Sequence, residues 1–187
     1  MQEDIDLYIE AAQESMDEAI SRLQRELSKV RTGKASPSVF DNLMVSYYGS
    51  PTPLKQVANV SVPDARTILV KPWEKSVVPA IEKAIFSANM GFTPQNDGET
   101  IRLNVPPLTE ERRVDLVKQC KTYLEDAKIS IRNARRESIS GIKDAVKDGY
   151  PEDAGKKAED TVDNLSKKFY TKGEAAFKQK DADIMTV

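Results

Sequence analysis

At 187 residues the chain suffices for one domain or two small ones, and a 31% charged content with a net charge of −2 excludes a uniformly basic nucleic-acid-binding protein. It contains no histidine, which removes every histidine-based general base, catalytic triad and zinc site at once. The single Cys120 excludes an intramolecular disulfide and fits a reducing compartment.

The chain opens with MQEDIDLYIE, acidic where a signal peptide would be basic and then apolar, and without the Arg- and Ser-rich character of a transit segment. No run reaches the roughly 20 apolar residues of a membrane span. The expected location is therefore cytoplasmic, with no membrane partner. Ile9, Ala12, Met16, Ala19, Leu23, Leu27 and Val30 then recur at spacings of three and four, which predicts a first amphipathic helix.

Helical periodicity stops at Arg31-Thr32-Gly33, and residues 32–105 are rich in Pro, Gly and β-branched side chains. Leu43–Tyr48, Val57–Val62, Thr67–Val70 and Thr100–Val105 read as short strands, divided by turns such as Gly49-Ser50-Pro51. Glu74–Asn89 reads as a helix with Val78, Ile81, Ala84 and Ile85 inward and Gly91 beyond its end. Trp73 is expected to anchor this inserted α+β domain, with an exposed aromatic contact as the alternative. Tyr47-Tyr48 on a strand should send one ring inward and the other outward.

A second long helix is predicted after Pro106-Pro107, with Thr109 as N-cap and Glu110 and Glu111 in its first turn. Its stripe runs through Val117, Cys120, Leu124, Ala127, Ile131, Ala134, Ile142 and Ala145 and ends near Gly149-Tyr150-Pro151. About 40 residues at about 1.5 Å each make a rod of about 60 Å. The third helix opens with Pro151, Glu152 and Asp153 and follows Ala158, Val162, Leu165, Phe169, Ala176 and Phe177. The fold class expected is thus α+β: an elongated antiparallel three-helix bundle (1–31 plus 106–187) with a small inserted domain (32–105). The two crossings, Thr32-Gly33 and Asn104-Val105-Pro106-Pro107, are expected to act as a hinge.

Charge is unevenly spread. Residues 1–30 hold three basic and eight acidic side chains, whereas 109–147 hold ten basic and seven acidic. Lys121, Lys128, Arg132, Arg135 and Lys143 lie along one helical face, with Arg136 one step round. A row of guanidiniums on a rigid rod suits a phosphate backbone, since each fork grips two oxygens. The plainer reading is a solvated helix face, but Arg132, Arg135 and Arg136 repel one another unless an anion is near. Gly33-Lys34-Ala35-Ser36 is similar to the end of a phosphate-binding loop, yet the upstream glycine is missing, so no nucleotide site is expected. Cys120 falls on the apolar stripe and reads as core. No constellation singles out a catalytic carboxylate or lysine, so an enzyme, a metal and a cofactor are not expected.

Several segments together resemble the ribosome recycling factor family. They are Val30-Arg31-Thr32-Gly33-Lys34-Ala35-Ser36-Pro37-Ser38, Tyr47-Tyr48-Gly49 with Thr52-Pro53-Leu54, Ala58-Asn59-Val60, and Pro106-Pro107-Leu108-Thr109-Glu110-Glu111-Arg112-Arg113. Ile131-Arg132-Asn133-Ala134-Arg135-Arg136 resembles the family's Arg-rich stretch of the middle helix. The resemblance implies a three-helix bundle with an inserted β/α/β domain, L-shaped like transfer RNA. It also implies a monomer that enters the post-termination ribosome and, with elongation factor G and GTP, separates the subunits and frees mRNA and tRNA. Carried onto this chain, Arg132, Arg135 and Arg136 make the main contacts to large-subunit ribosomal RNA, with Arg31, Lys34 and Lys128 beside them and no DNA involved. Two positions depart from the pattern: Lys34 stands where Arg is common, and Pro63 where an acid is frequent. A coiled-coil scaffold is the competing class; it predicts binding that changes little with salt, where RNA binding weakens steeply.

Overall fold

The computed structural model describes residues 2–186. In chain order they form α1 (Gln2–Lys29), a 3-10 turn (Pro37–Phe40), β1 (Met44–Tyr47), β2 (Ser50–Pro53), α2 (Leu54–Val57), β3 (Ala58–Asp64) and β4 (Thr67–Pro72). A second 3-10 turn (Lys75–Val77) leads to α3 (Val78–Ser87), β5 (Pro94–Asn96), β6 (Ile101–Asn104), α4 (Glu110–Lys147) and α5 (Glu152–Met185). The architecture is mixed α+β, in two compact units: one gathers α1, α4 and α5, the other spans Thr32–Thr109. No described helix is long and apolar enough to cross a membrane.

In the helical unit all three helix pairs pack on one another. Ile5, Ala12, Met16, Ala19, Ile20, Leu23 and Leu27 are buried on α1. They meet Leu116, Cys120, Leu124, Ala127, Ile131, Ala134, Ser138 and Ile142 of α4. Each fully buried Ile or Leu contributes about 1.5–3 kcal/mol by leaving water. The expected stripe needs correction at its margins. Ile9, Val117, Ala145, Leu165, Ala176 and Phe177 are only half-buried, while Leu116, Ser138, Gly155, Ser166, Gly173 and Ile184 take interior seats. Small residues go inside because helices crowd there: a Cβ on Gly173 would stand 3.2 Å from Ile20 Cδ1 and 3.4 Å from Leu124 Cδ1. Ser138 keeps its hydroxyl satisfied by donating to the Tyr8 carbonyl at 3.0 Å.

α4 stops in a Schellman turn. Gly149 sits at φ +105°, where a side chain is strained, and the Tyr150 N–H reaches back to the Ala145 carbonyl at 3.0 Å. Tyr150 then folds inward against Ile5, Ile142, Ala158 and Val162, and its hydroxyl donates to Gln2 Oε1 at 2.7 Å.

The inserted unit has a four-stranded antiparallel sheet, ordered β3-β4-β6-β5, and a separate β1-β2 hairpin. Strict alternation on β6 buries Ile101 and Leu103 and exposes Arg102 and Asn104. Ile68 and Val70 of β4, Ile81 and Ile85 of α3, and Phe40, Val45 and Leu54 complete the core. Two strands lay outside the sequence expectation, β2 (Ser50-Pro51-Thr52-Pro53) and β5 (Pro94-Gln95-Asn96). Both are edge strands, where proline's missing N–H costs no ladder bond. The helix expected over Glu74–Asn89 is shorter, because Pro79 sets the first turn of α3 and the 3-10 turn precedes it. Trp73 is 68% exposed rather than an anchor; Pro72 and Val77, on either side of it, fill the interior instead.

Candidate nucleic-acid interface

The basic segment identified in the sequence lies entirely on α4, a continuous 38-residue helix. Its buried stripe fixes which faces remain outside. Lys118, Lys121, Arg132 and Arg136 follow one another at spacings that keep them on the side opposite that stripe, and all are exposed. Ile129, 49% exposed, sits among them. Glu125 is the acid within this row, and it leans toward Lys128 at 3.8 Å. Among the described residues neither Arg132 nor Arg136 makes an ion pair or a side-chain hydrogen bond.

The edge of α4 next to α5 behaves differently. Lys128 Nζ is 3.1 Å from Glu174, Arg135 Nε is 2.6 Å from Asp163 Oδ1, and Lys143 Nζ is 3.9 Å from Glu159. The hydrogen bond from Arg135 holds the Asp163 carboxyl below the usual carboxylate range, against a smaller opposing effect of burial. The same bond pushes Arg135 further up. Arg135 spends one of five N–H donors on this contact, so its terminal nitrogens are kept in place with donors to spare.

The remaining expected contacts lie elsewhere in the chain. Arg31 follows the end of α1, and Lys34 precedes the first 3-10 turn; both are exposed. Of the residues expected to hinge, Asn104 belongs to β6 opposite Thr67, and the Val105 N–H donates to the Arg66 carbonyl at 2.7 Å. Gly33 lies at φ +73°, and a Cβ there would come within 2.8 Å of Leu108 Cγ. Thr32, Pro106 and Pro107 lie outside regular elements.

Two interface features escaped the sequence reading. Lys118 and the exposed Ile129 fall on the Arg132 face, and the spacing 118, 121, 125, 129, 132, 136 was the signal that could have found them. The Asp163 partner of Arg135, 28 residues on in a different helix, had no such signal. At the other end of α4, Arg113 donates to the Met185 carbonyl at 3.3 Å, while its Nε is buried with no partner among the described residues. Burial pushes the Cys120 thiol up and Lys180 down. Among the described residues no group of three acidic or cysteine side chains is arranged to hold a metal.

Comparison with known proteins gives one consistent result. The ribosome recycling factor family model matches residues 23–185. A ribosome-recycling factor of Cytophaga hutchinsonii is 55% identical over 99% of this chain and all of its own. That of Flavobacterium psychrophilum is 50% identical over the full length of both. A solution structure of the ribosome recycling factor superposes with a TM-score of 0.79 at 34% identity, covering 98% of each chain. A second match has a TM-score of 0.64 at 36% identity and covers 97% of this chain and 98% of the other. It comes from models for the T. thermophilus ribosome recycling factor and E. coli elongation factor G bound to the E. coli post-termination complex.

Proposed function

Because this chain belongs to the ribosome recycling factor family, we propose that its ribosomal-RNA contact is the outer face of α4, centred on Arg132 and Arg136. The protein is a non-enzymatic translation factor: it acts on the post-termination ribosome with elongation factor G, and the subunits part for another round of translation. GTP hydrolysis belongs to the partner. The protein works as a cytoplasmic monomer.

The observation that carries this assignment is two exposed guanidiniums, one helical turn apart, with no carboxylate paired to them among the described residues. On a solvated face that evolved only for solubility, i,i+4 acids would offset them; a phosphate backbone does so instead and releases counterions. Lys128 and Arg135 extend the surface toward α5, Arg135 through its free terminal nitrogens. Arg31 and Lys34 add charge where the chain leaves α1. The two units, Met1–Arg31 with Glu110–Val187 and Thr32–Thr109, act as two domains. Bending falls at Thr32-Gly33 and Pro106-Pro107, since Asn104 and Val105 are held by the sheet.

Light scattering of post-termination ribosomes, mixed with this protein, elongation factor G from the same organism and GTP, tests the assignment. Scattering should drop only with all three present, and the Arg132→Ala/Arg136→Ala variant should lose the drop at concentrations where the unaltered protein is active. A double variant as active as the parent would remove the RNA contact from this face.

A further inference from the structure

The inserted unit carries a feature of opposite chemistry. Tyr48 (φ +47°) and Gly49 (φ +82°) form the two-residue turn between β1 and β2, a geometry that suits Gly and strains Tyr. The rings of Tyr47 and Tyr48 meet edge to face, 4.6 Å apart at 78°. Both phenols converge on one carboxylate: Tyr47 donates to Glu74 Oε1 at 2.7 Å and Tyr48 to Oε2 at 3.0 Å. These bonds, with a weaker one from Ser76, keep Glu74 ionised below its ordinary range.

Glu74 shares an open cleft of about 290 Å³ with Tyr47, Thr52, Gln56 and the exposed ring of Trp73, over a floor of Val57 and Val77. The adjacent Lys75 is committed elsewhere, to Glu99 at 2.5 Å. Among the described residues no cation pairs with Glu74. A carboxylate offers about four lone-pair sites, so acceptor capacity remains after the phenols are served. The cleft therefore combines an indole face, a fixed anion and no internal counter-charge.

We propose that this cleft receives an arginine side chain displayed by a protein partner, its guanidinium stacked on Trp73 and hydrogen-bonded to Glu74. Arginine fits better than lysine, because a planar, weakly hydrated cation can stack and bond in one pose. Nucleic acid fits worse, because Glu74 repels phosphate. The two tyrosines hold the carboxylate before binding, so little ordering is left to be done. This reading is independent of the RNA contact on α4.

Trp73 is the chain's only tryptophan, so its fluorescence reports on the cleft without labelling. The full chain is titrated with N-acetyl-arginine amide, its neutral isostere N-acetyl-citrulline amide, and oligouridylate. The arginine amide should give a saturable change and the other two none. Glu74→Gln, which keeps shape and removes charge, should weaken the response about tenfold. Gln56→Lys, which places a cation in the cleft from an exposed position on α2, should weaken it as well and serves if Glu74→Gln does not fold. Equal responses to citrulline amide, an undiminished response in the folded variants, or saturation by oligouridylate alone would each overturn the proposal.

Discussion

Along the edge of α4 that meets α5, Lys128, Arg135 and Lys143 each find a carboxylate on that helix, whereas on the outer face Lys121, Arg132 and Arg136 find none among the described residues. Both groups come from one helix of one basic composition. The difference is made by α5, whose Glu174, Asp163 and Glu159 descend as their partners on α4 ascend, the order expected of antiparallel neighbours. Charge count therefore places the basic helix, and pairing decides which cations are held and which are available to an outside anion. An arginine in a surface ion pair gains little stability, but its orientation is fixed; an unpaired one keeps its full charge for a ligand.

The largest effect should come from removing what both edges stand on. Ile131 is 1% exposed beneath Arg132 and Arg135, and Ile131→Ala should cost about 2–5 kcal/mol in a denaturant melt. If stability hardly changes, the two edges do not share a packed core.

Ribosome affinity across a salt series, read beside bundle stability, separates the outer face from the α5 edge. Arg136→Ala and Arg135→Ala should each flatten the dependence of log affinity on log salt by about one phosphate unit. Arg135→Ala should also cost the bundle about 0.5 kcal/mol, and Asp163→Ala should reproduce that cost without changing the slope. A slope altered by Asp163→Ala to the same extent would mean that Arg135 reaches RNA only when Asp163 aims it.

The smallest effect is a pH dependence. Asp163 has a lowered folded-state pKa, so its contribution is fully present above its unfolded value of about 3.9 and is lost as pH falls through the lower folded value. Arg135 stays charged throughout, so nothing is lost at the alkaline end of an ordinary range. Stabilities of the parent and Asp163→Asn should differ at neutral pH, begin to draw together below about pH 4, and meet only below the lower folded-state value. A constant gap at all pH values would show that the side chain acts through packing instead.

Much of the helical unit was legible in advance because an amphipathic helix repeats its apolar positions every three or four residues, within reach of local inspection. Met16, Leu23, Cys120, Ile131 and Val162 were placed correctly inside on that basis. Gly155, Ser138 and Gly173 were not, since small residues carry no apolar signal and are buried only because neighbouring helices come close. In the inserted unit, proline hides β2 and β5, and the place of Trp73 just before a helix does not say whether its ring packs inward or faces water.

By itself, the sequence determined the three long helices, the insertion between the first two and the basic stretch of α4. Only the tertiary structure decided that Asp163 holds Arg135 and leaves Arg132 and Arg136 bare, that Trp73 faces water, and that two tyrosines clamp Glu74. Helical period and strand alternation are local, set over a few residues by backbone geometry. The pairings join side chains 26 to 28 positions apart, and no short-range pattern records which of many possible partners the packed chain brings within hydrogen-bond distance.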